Sequence, residues 1–102
     1  MNKYHAKKTA FDGINFASKK EASRYFELKI LEKAKLISNL ELQVPFPIVV
    51  NKLKICTYVA DFVYLNQNGV KVVEDAKGVR TPLYKLKKKL VKAVYDIEIY
   101  ES

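Results

Sequence analysis

Residues 56–77 read Cys56-Thr57-Tyr58-Val59-Ala60-Asp61-Phe62-Val63-Tyr64-Leu65-Asn66-Gln67-Asn68-Gly69-Val70-Lys71-Val72-Val73-Glu74-Asp75-Ala76-Lys77, and this stretch decides the fold. Cys56 to Leu65 is rich in β-branched and aromatic residues and carries one charge, Asp61. Asn66-Gln67-Asn68-Gly69 supplies turn chemistry and Val70 to Lys77 a second extended run, so the stretch predicts an antiparallel hairpin. Towards the N-terminus, Leu40, Leu42 and Val44 alternate with Glu41 and Gln43, the period of a half-buried strand. Pro45 and Pro47 are expected to limit its extension, giving a strand over 37–44. Further back, Ser18-Lys19-Lys20-Glu21 matches a capping box and predicts a helix from Lys19 to Lys35, with Ala22, Tyr25, Phe26, Leu28, Ile30, Leu31 and Ala34 spread over several faces. Residues 1–17 read as a basic, irregular arm in which Phe11, Ile14 and Phe16 are available to dock on the core. Beyond the hairpin, Gly78 ends the strand and Thr81-Pro82 opens a helix over 82–94 whose Leu83, Leu86, Leu90 and Val94 recur at helical spacing. Tyr95 to Tyr100, with Ile97 and Ile99 alternating, predicts a last strand. The element order is α-β-β-β-α-β, an α/β fold with a core over 18–100.

Composition bounds what such a fold can do. The chain has 102 residues and is 49% hydrophobic, enough for one core and one domain over 1–102. The lone Cys56 forms no internal disulfide and rules out a Cys/His zinc cluster, and three glycines leave no glycine-rich phosphate loop. Met1-Asn2-Lys3-Tyr4-His5 begins no apolar stretch and no long apolar run follows, so neither a signal peptide nor a membrane span is expected, and the protein reads as soluble and cytoplasmic. Nineteen Lys and Arg against eleven Asp and Glu leave a formal charge of +8. Lys3, Lys7, Lys8, Lys19 and Lys20 precede residue 21; Lys77, Arg80, Lys85, Lys87, Lys88, Lys89 and Lys92 follow with no acid between 76 and 95. Two basic clusters on so small a fold make nucleic acid the leading partner, the competing reading being a solvated helix face.

Three charges sit where a strand face should be apolar. Asp61 falls on the face of Val59 and Val63, while Asp75 and Lys77 share one with Val73. A carboxylate there needs compensation, either an ion pair with Lys77 or a cation. Two carboxylates can hold a hard divalent ion such as Mg²⁺, and a lysine beside it can stabilise charge on a phosphate or activate the attacking water. Asp75-Ala76-Lys77 is such an acid-x-Lys unit, with Asp61 fourteen residues earlier across the hairpin turn.

The element order, with Asp61 on the second strand and Asp75-Ala76-Lys77 on the third, resembles the PD-(D/E)xK nuclease superfamily, which includes restriction endonucleases, mismatch-repair nickases and archaeal Holliday junction resolvases. The resemblance spans residues 18–100. More narrowly, Tyr4-His5-Ala6-Lys7, Phe11-Asp12-Gly13, Ser18-Lys19-Lys20-Glu21-Ala22, Leu40-Glu41-Leu42-Gln43, Ala60-Asp61-Phe62 and Val73-Glu74-Asp75-Ala76-Lys77-Gly78 resemble a family of small phage-encoded proteins placed in that superfamily. The resemblance implies a restriction-endonuclease-like αβββαβ core, a central mixed sheet flanked by helices. It implies metal ligation by Asp61 and Asp75, a transition-state or water contact from Lys77, and a first-helix acid matched by Glu21. Ala60 stands where the superfamily pattern has proline, which leaves the carboxylate intact.

Two readings fit Glu21, the capping box and a catalytic or metal-binding role. Glu74 is expected on the opposite face from Asp75, as a salt-bridge residue or, through a bulge, a reserve ligand. On a helical wheel Lys87 falls roughly 40° from Leu83, inside the apolar arc, where it either snorkels outward or reaches the active site. Lys7, Lys8, Lys19, Lys20, Arg80, Lys85, Lys88, Lys89 and Lys92 are expected phosphate contacts. The expectation is a Mg²⁺-dependent endodeoxyribonuclease, with Mn²⁺ as a substitute, selective for junctions or other branched DNA in phage recombination, repair or packaging within a bacterial host. A homodimer would suit paired strand cuts. The alternatives are a non-catalytic nucleic-acid-binding module on the same fold and a structural phage protein with an acidic partner.

Overall fold

A computed structural model describes residues 13–76 and 79–102, together with the backbone of residues 9–11. The elements in chain order are β1 (Thr9–Phe11), β2 (Ile14–Phe16), α1 (Lys19–Lys33), β3 (Ser38–Val50), β4 (Leu53–Leu65), β5 (Lys71–Asp75), α2 (Pro82–Tyr95) and β6 (Tyr100–Glu101). β3 to β6 form one mixed sheet in the order β3-β4-β5-β6, antiparallel except for the parallel β5–β6 pair that α2 connects. This is an α/β architecture, and α1 to β6 reproduce the α-β-β-β-α-β order expected of the core.

Each helix begins where the sequence chemistry places it. The Ser18 side chain accepts the Glu21 amide at 3.1 Å, and Thr81 does the same for Tyr84 at 3.1 Å with Pro82 in the first turn. Inside α1 the buried residues Glu21, Ala22, Tyr25 and Leu28 make one stripe rather than several faces, with Phe26 and Ile30 left half exposed. α2 departs further from expectation. Its inward residues are Tyr84 and Val91, whereas Leu83, Leu86 and Val94 of the expected apolar arc are exposed. The helix has rotated because the large Tyr84 ring fills the space over Tyr58, where its hydroxyl also finds a carboxylate partner in Glu101.

Three strand boundaries also differ. β3 does not stop at Val44 but runs through Pro45 and Pro47, opposite Val59 and Thr57, because β3 is an edge strand and a proline whose nitrogen faces outward costs no ladder bond. Its continuation makes β4 begin at Leu53, after a two-residue turn in which Asn51 and Lys52 both adopt positive φ, 50° and 67°. The expected last strand is reduced to Tyr100–Glu101, since Tyr95 ends α2 and Asp96 caps it in the left-handed region at φ 58°. Within the stretch expected as irregular arm, Thr9–Phe11 and Ile14–Phe16 pair as the antiparallel β1 and β2, with Gly13 at φ 75° before β2 and Phe16 packed 5.1 Å from the Tyr25 ring.

Two cores lie on the two sides of the sheet. α1 covers Phe62, Tyr64, Ala76, Ile37 and Phe16, and α2 covers Phe46, Ile48, Tyr58, Ala60, Val63, Val73 and Ile99. Strict alternation would put Tyr58, Ala60, Phe62 and Tyr64 on one face. Instead Tyr58 and Ala60 join one core and Phe62 and Tyr64 the other, so the hairpin switches faces at Asp61. Opposite this point Gln43 sits at φ 52°, a left-handed residue inside a strand, and Leu42 and Val44 on either side of it also pack into different cores. Asp61 therefore does not share a buried face with both Val59 and Val63: Val63 is buried and Val59 is 44% exposed.

Candidate active site

The switch brings the acids together. β4 and β5 pair from Leu65 with Lys71 as far as Phe62 with Glu74, and one step further Asp61 would face Asp75. There the ladder opens, and the Asp61 carboxylate takes the Ala76 N–H at 2.9 Å in place of a strand carbonyl. Asp75, the last residue of β5, is buried and accepts the Tyr58 hydroxyl at 2.6 Å. Its carboxyl also lies within hydrogen-bonding reach of Asp61. Glu21 reaches the same place from α1, and the Gln43 amide donates to Glu21 at 3.0 Å and to Asp61 at 3.3 Å.

The electrostatics follow from crowding. Burial, with the nearby Glu21 charge adding to it, pushes the Asp61 carboxyl above its ordinary range, and the Ala76 amide, Asp75 and Gln43 only partly offset this. Burial and the bond to Asp75 likewise push the Tyr58 hydroxyl upward, so it stays a neutral donor. On each side of the acids lies a cavity. One of about 280 Å³ is lined by Glu21, Gln43, Asp61 and Leu42 together with Ile14 to Ala17. The other, about 260 Å³, is lined by Asp75, Tyr58, Thr57, Val59, Thr81, Leu83, Tyr84 and Lys87.

Of the residues singled out from sequence, the fold thus gathers Glu21, Asp61 and Asp75, and places Lys87, half-buried, on the wall of the Asp75 cavity. Lys77, Lys7 and Lys8 lie outside the described residues. Glu74 lies on the opposite face, fully buried, where Arg24 binds it through Nε at 2.5 Å and a terminal nitrogen at 3.1 Å while Tyr64 donates at 2.6 Å. It is a structural ion pair anchoring β5 to α1, not a reserve ligand. Gln43 is the site residue that sequence reasoning missed, because in an alternating strand it reads as a solvent-facing polar residue and its left-handed backbone has no sequence signal.

The basic residues divide in the same way. Arg80 and Lys88 are bound to Glu101, at 2.9 and 3.1 Å, and Lys92 to Asp96 at 2.9 Å. The Tyr84 hydroxyl first, and then Lys88, hold Glu101 below the usual carboxylate range. Lys85, Lys87 and Lys89 have no acidic partner among the described residues. A groove of about 500 Å³ runs along this flank, lined by Arg80, Lys85, Lys88, Lys89, Lys92 and the Tyr84 ring together with the acids Glu98 and Glu101.

A family profile described as "Protein of unknown function (DUF1064)" matches residues 1–99, nearly the whole chain. The chain belongs to DUF1064. No curated protein and no solved structure matches it. What this DUF1064 chain can do chemically must therefore be read from its donors. The carboxylates of Glu21, Asp61 and Asp75 and the amide carbonyl of Gln43 are oxygen ligands, which suit a hard cation, and among the described residues no thiolate or imidazole joins them. Among the described residues no three acidic, His or Cys groups already stand as a ligand set. The arrangement fits Mg²⁺, which is commonly held by one or two carboxylates and keeps several waters. Among those residues no helix is long and apolar enough to cross a membrane.

Proposed function

We propose that this DUF1064 chain is a metal-dependent endonuclease of the PD-(D/E)xK type that hydrolyses DNA phosphodiester bonds, acting on junctions or other branched DNA. The observation that carries the reading is the meeting of Asp61 and Asp75 where β4 and β5 part, with Glu21 one amide away, in a chain of charge +8. The α1-β3-β4-β5-α2-β6 order supports it, since the acids then fall on the strands that bear them in that superfamily.

Mg²⁺ held by Asp61 and Asp75, with Glu21 drawn in, would polarise the scissile phosphate and lower the pKa of the attacking water. Asp75, at the carboxyl end of β5, supplies a buried carboxyl group, and the Tyr58 hydroxyl fixes its rotamer. Lys77, two residues further on, is assigned to the phosphate or the attacking water by its place in the acid-x-Lys unit. Lys87 approaches from α2 and, carrying no acidic partner among the described residues, is available to a non-bridging phosphate oxygen. Lys85 and Lys89 hold flanking phosphates.

The test is cleavage of labelled duplex, single-stranded, flap and four-way-junction DNA by wild type and Lys77→Ala, with Mg²⁺, Mn²⁺ or EDTA. Metal-dependent cutting lost in Lys77→Ala is expected, with branched DNA preferred. Folded wild type that binds the panel but never cuts it would instead favour the non-catalytic binding module.

The free and paired lysines give a separate prediction. Each phosphate contact removed lowers the slope of log affinity against log salt by about 0.9 on duplex DNA. Lys85→Ala and Lys89→Ala should each show that loss, and Lys92→Ala, whose ammonium is already held by Asp96, a smaller one. Slopes unchanged from wild type in all three variants would remove the α2 flank from the interface.

A further inference from the structure

Gln43 has a position and a backbone that its sequence context does not require. It is exposed, lies inside β3 and takes φ 52°, a region that side chains other than glycine adopt at a cost and retain where the surroundings impose it. What it gains is visible in its side chain. The two hydrogens of one Nε2 reach two carboxylates, Glu21 Oε2 at 3.0 Å and Asp61 Oδ1 at 3.3 Å.

We propose that Gln43 is a positioning residue that spaces Glu21 and Asp61 for a divalent cation, its amide bridging them until the ion takes its place. The inference rests on the metal-dependent reading above. A lysine here would neutralise the acids and compete permanently with a cation, whereas a neutral amide holds two carboxylates together without cancelling their charge. Because Gln43 is exposed and borders the open cavity that Glu21 and Asp61 line, a hydrated ion reaches the bridged pair without opening the fold. Rotation of the amide about its last side-chain bond turns Oε1 towards the ion, and amide carbonyls are accepted ligands of hard cations. The same residue thus holds the acids before binding and offers an oxygen afterwards.

The experiment is calorimetric titration of the whole chain with MgCl₂ and with MnCl₂, without DNA, for wild type, Gln43→Met, Gln43→Glu and Asp61→Asn. Gln43→Met keeps the length of the side chain and removes the amide, and should weaken cation binding about tenfold or more, as loss of a residue that orients ligands does. Gln43→Glu puts a carboxylate where the amide carbonyl would turn and should bind the cation more tightly than wild type. Equal dissociation constants for wild type and Gln43→Met overturn the role of Gln43 while leaving the metal site standing. If Gln43→Met does not fold, Gln43→Glu decides alone, and unchanged or weaker binding overturns the proposal. Wild type that binds neither ion overturns the metal reading and this inference together.

Discussion

Arg24→Ala is expected to lower the unfolding free energy by about 3 kcal/mol, the lower end of what breaking a buried ion pair costs. Glu74 is fully buried next to the last residue of β5, and its partners are the Arg24 guanidinium, bound through two nitrogens, and the Tyr64 hydroxyl. Removing the arginine leaves a buried carboxylate with one neutral donor. The lower end of the range applies because the Arg24 side chain keeps 21% of its surface in water and also pairs with the exposed Glu27. For a domain of this size the loss corresponds to a fall in melting temperature of roughly 15 °C. Urea denaturation measures it, and the double variant Arg24→Ala/Glu74→Gln separates the stranded charge from lost packing. The double variant should be more stable than Arg24→Ala alone, since it removes the charge whose partner is gone. A loss below about 1 kcal/mol in the single variant would mean that the pair behaves as an exposed salt bridge and that β5 is anchored by its apolar neighbours instead.

The second large effect is expected at Asp75, with opposite signs in stability and activity. In the folded chain burial raises the Asp61 carboxyl, so the doubly ionised pair is disfavoured and the cation-free protein gains stability as pH falls through that raised value. Asn at position 75 imitates a protonated Asp75. Its carbonyl still accepts the Tyr58 hydroxyl and its amide donates to Asp61. In EDTA at neutral pH, Asp75→Asn should therefore melt above wild type, and the gap should narrow as pH falls and the wild-type pair takes up its proton. Added Mg²⁺ should raise the melting temperature of wild type and not that of Asp75→Asn. Cleavage should fall by about 10³-fold, as expected where several kcal/mol of metal-derived transition-state stabilisation is lost. Asp75→Asn that melts below wild type in EDTA would show that the acid is a structural hydrogen-bond acceptor and not part of a strained pair.

Much of this chain is legible from local chemistry. The capping serine and threonine, the proline opening α2 and the Asn66–Gly69 turn each act through neighbours a few residues away, and the elements they predict are present. Asp61 and Asp75 could be singled out because a charge in a strand of β-branched residues contradicts its surroundings whatever the tertiary fold.

What the tertiary structure alone decided is which way those elements face. Pro45 and Pro47 end a strand or continue it according to whether it lies at a sheet edge, and the edge is defined by a missing neighbour. Leu83, Leu86 and Val94 share an arc of α2, yet the helix turns Tyr84 and Val91 inward because the sheet opposite offers room and a partner for a tyrosine. Above all, the change of face at Gln43 and Asp61 breaks the two-residue alternation on which any reading of a strand depends. That break, imposed where β4 and β5 part while β3 stays paired to β4, carries an exposed amide and the acids of three elements into one place.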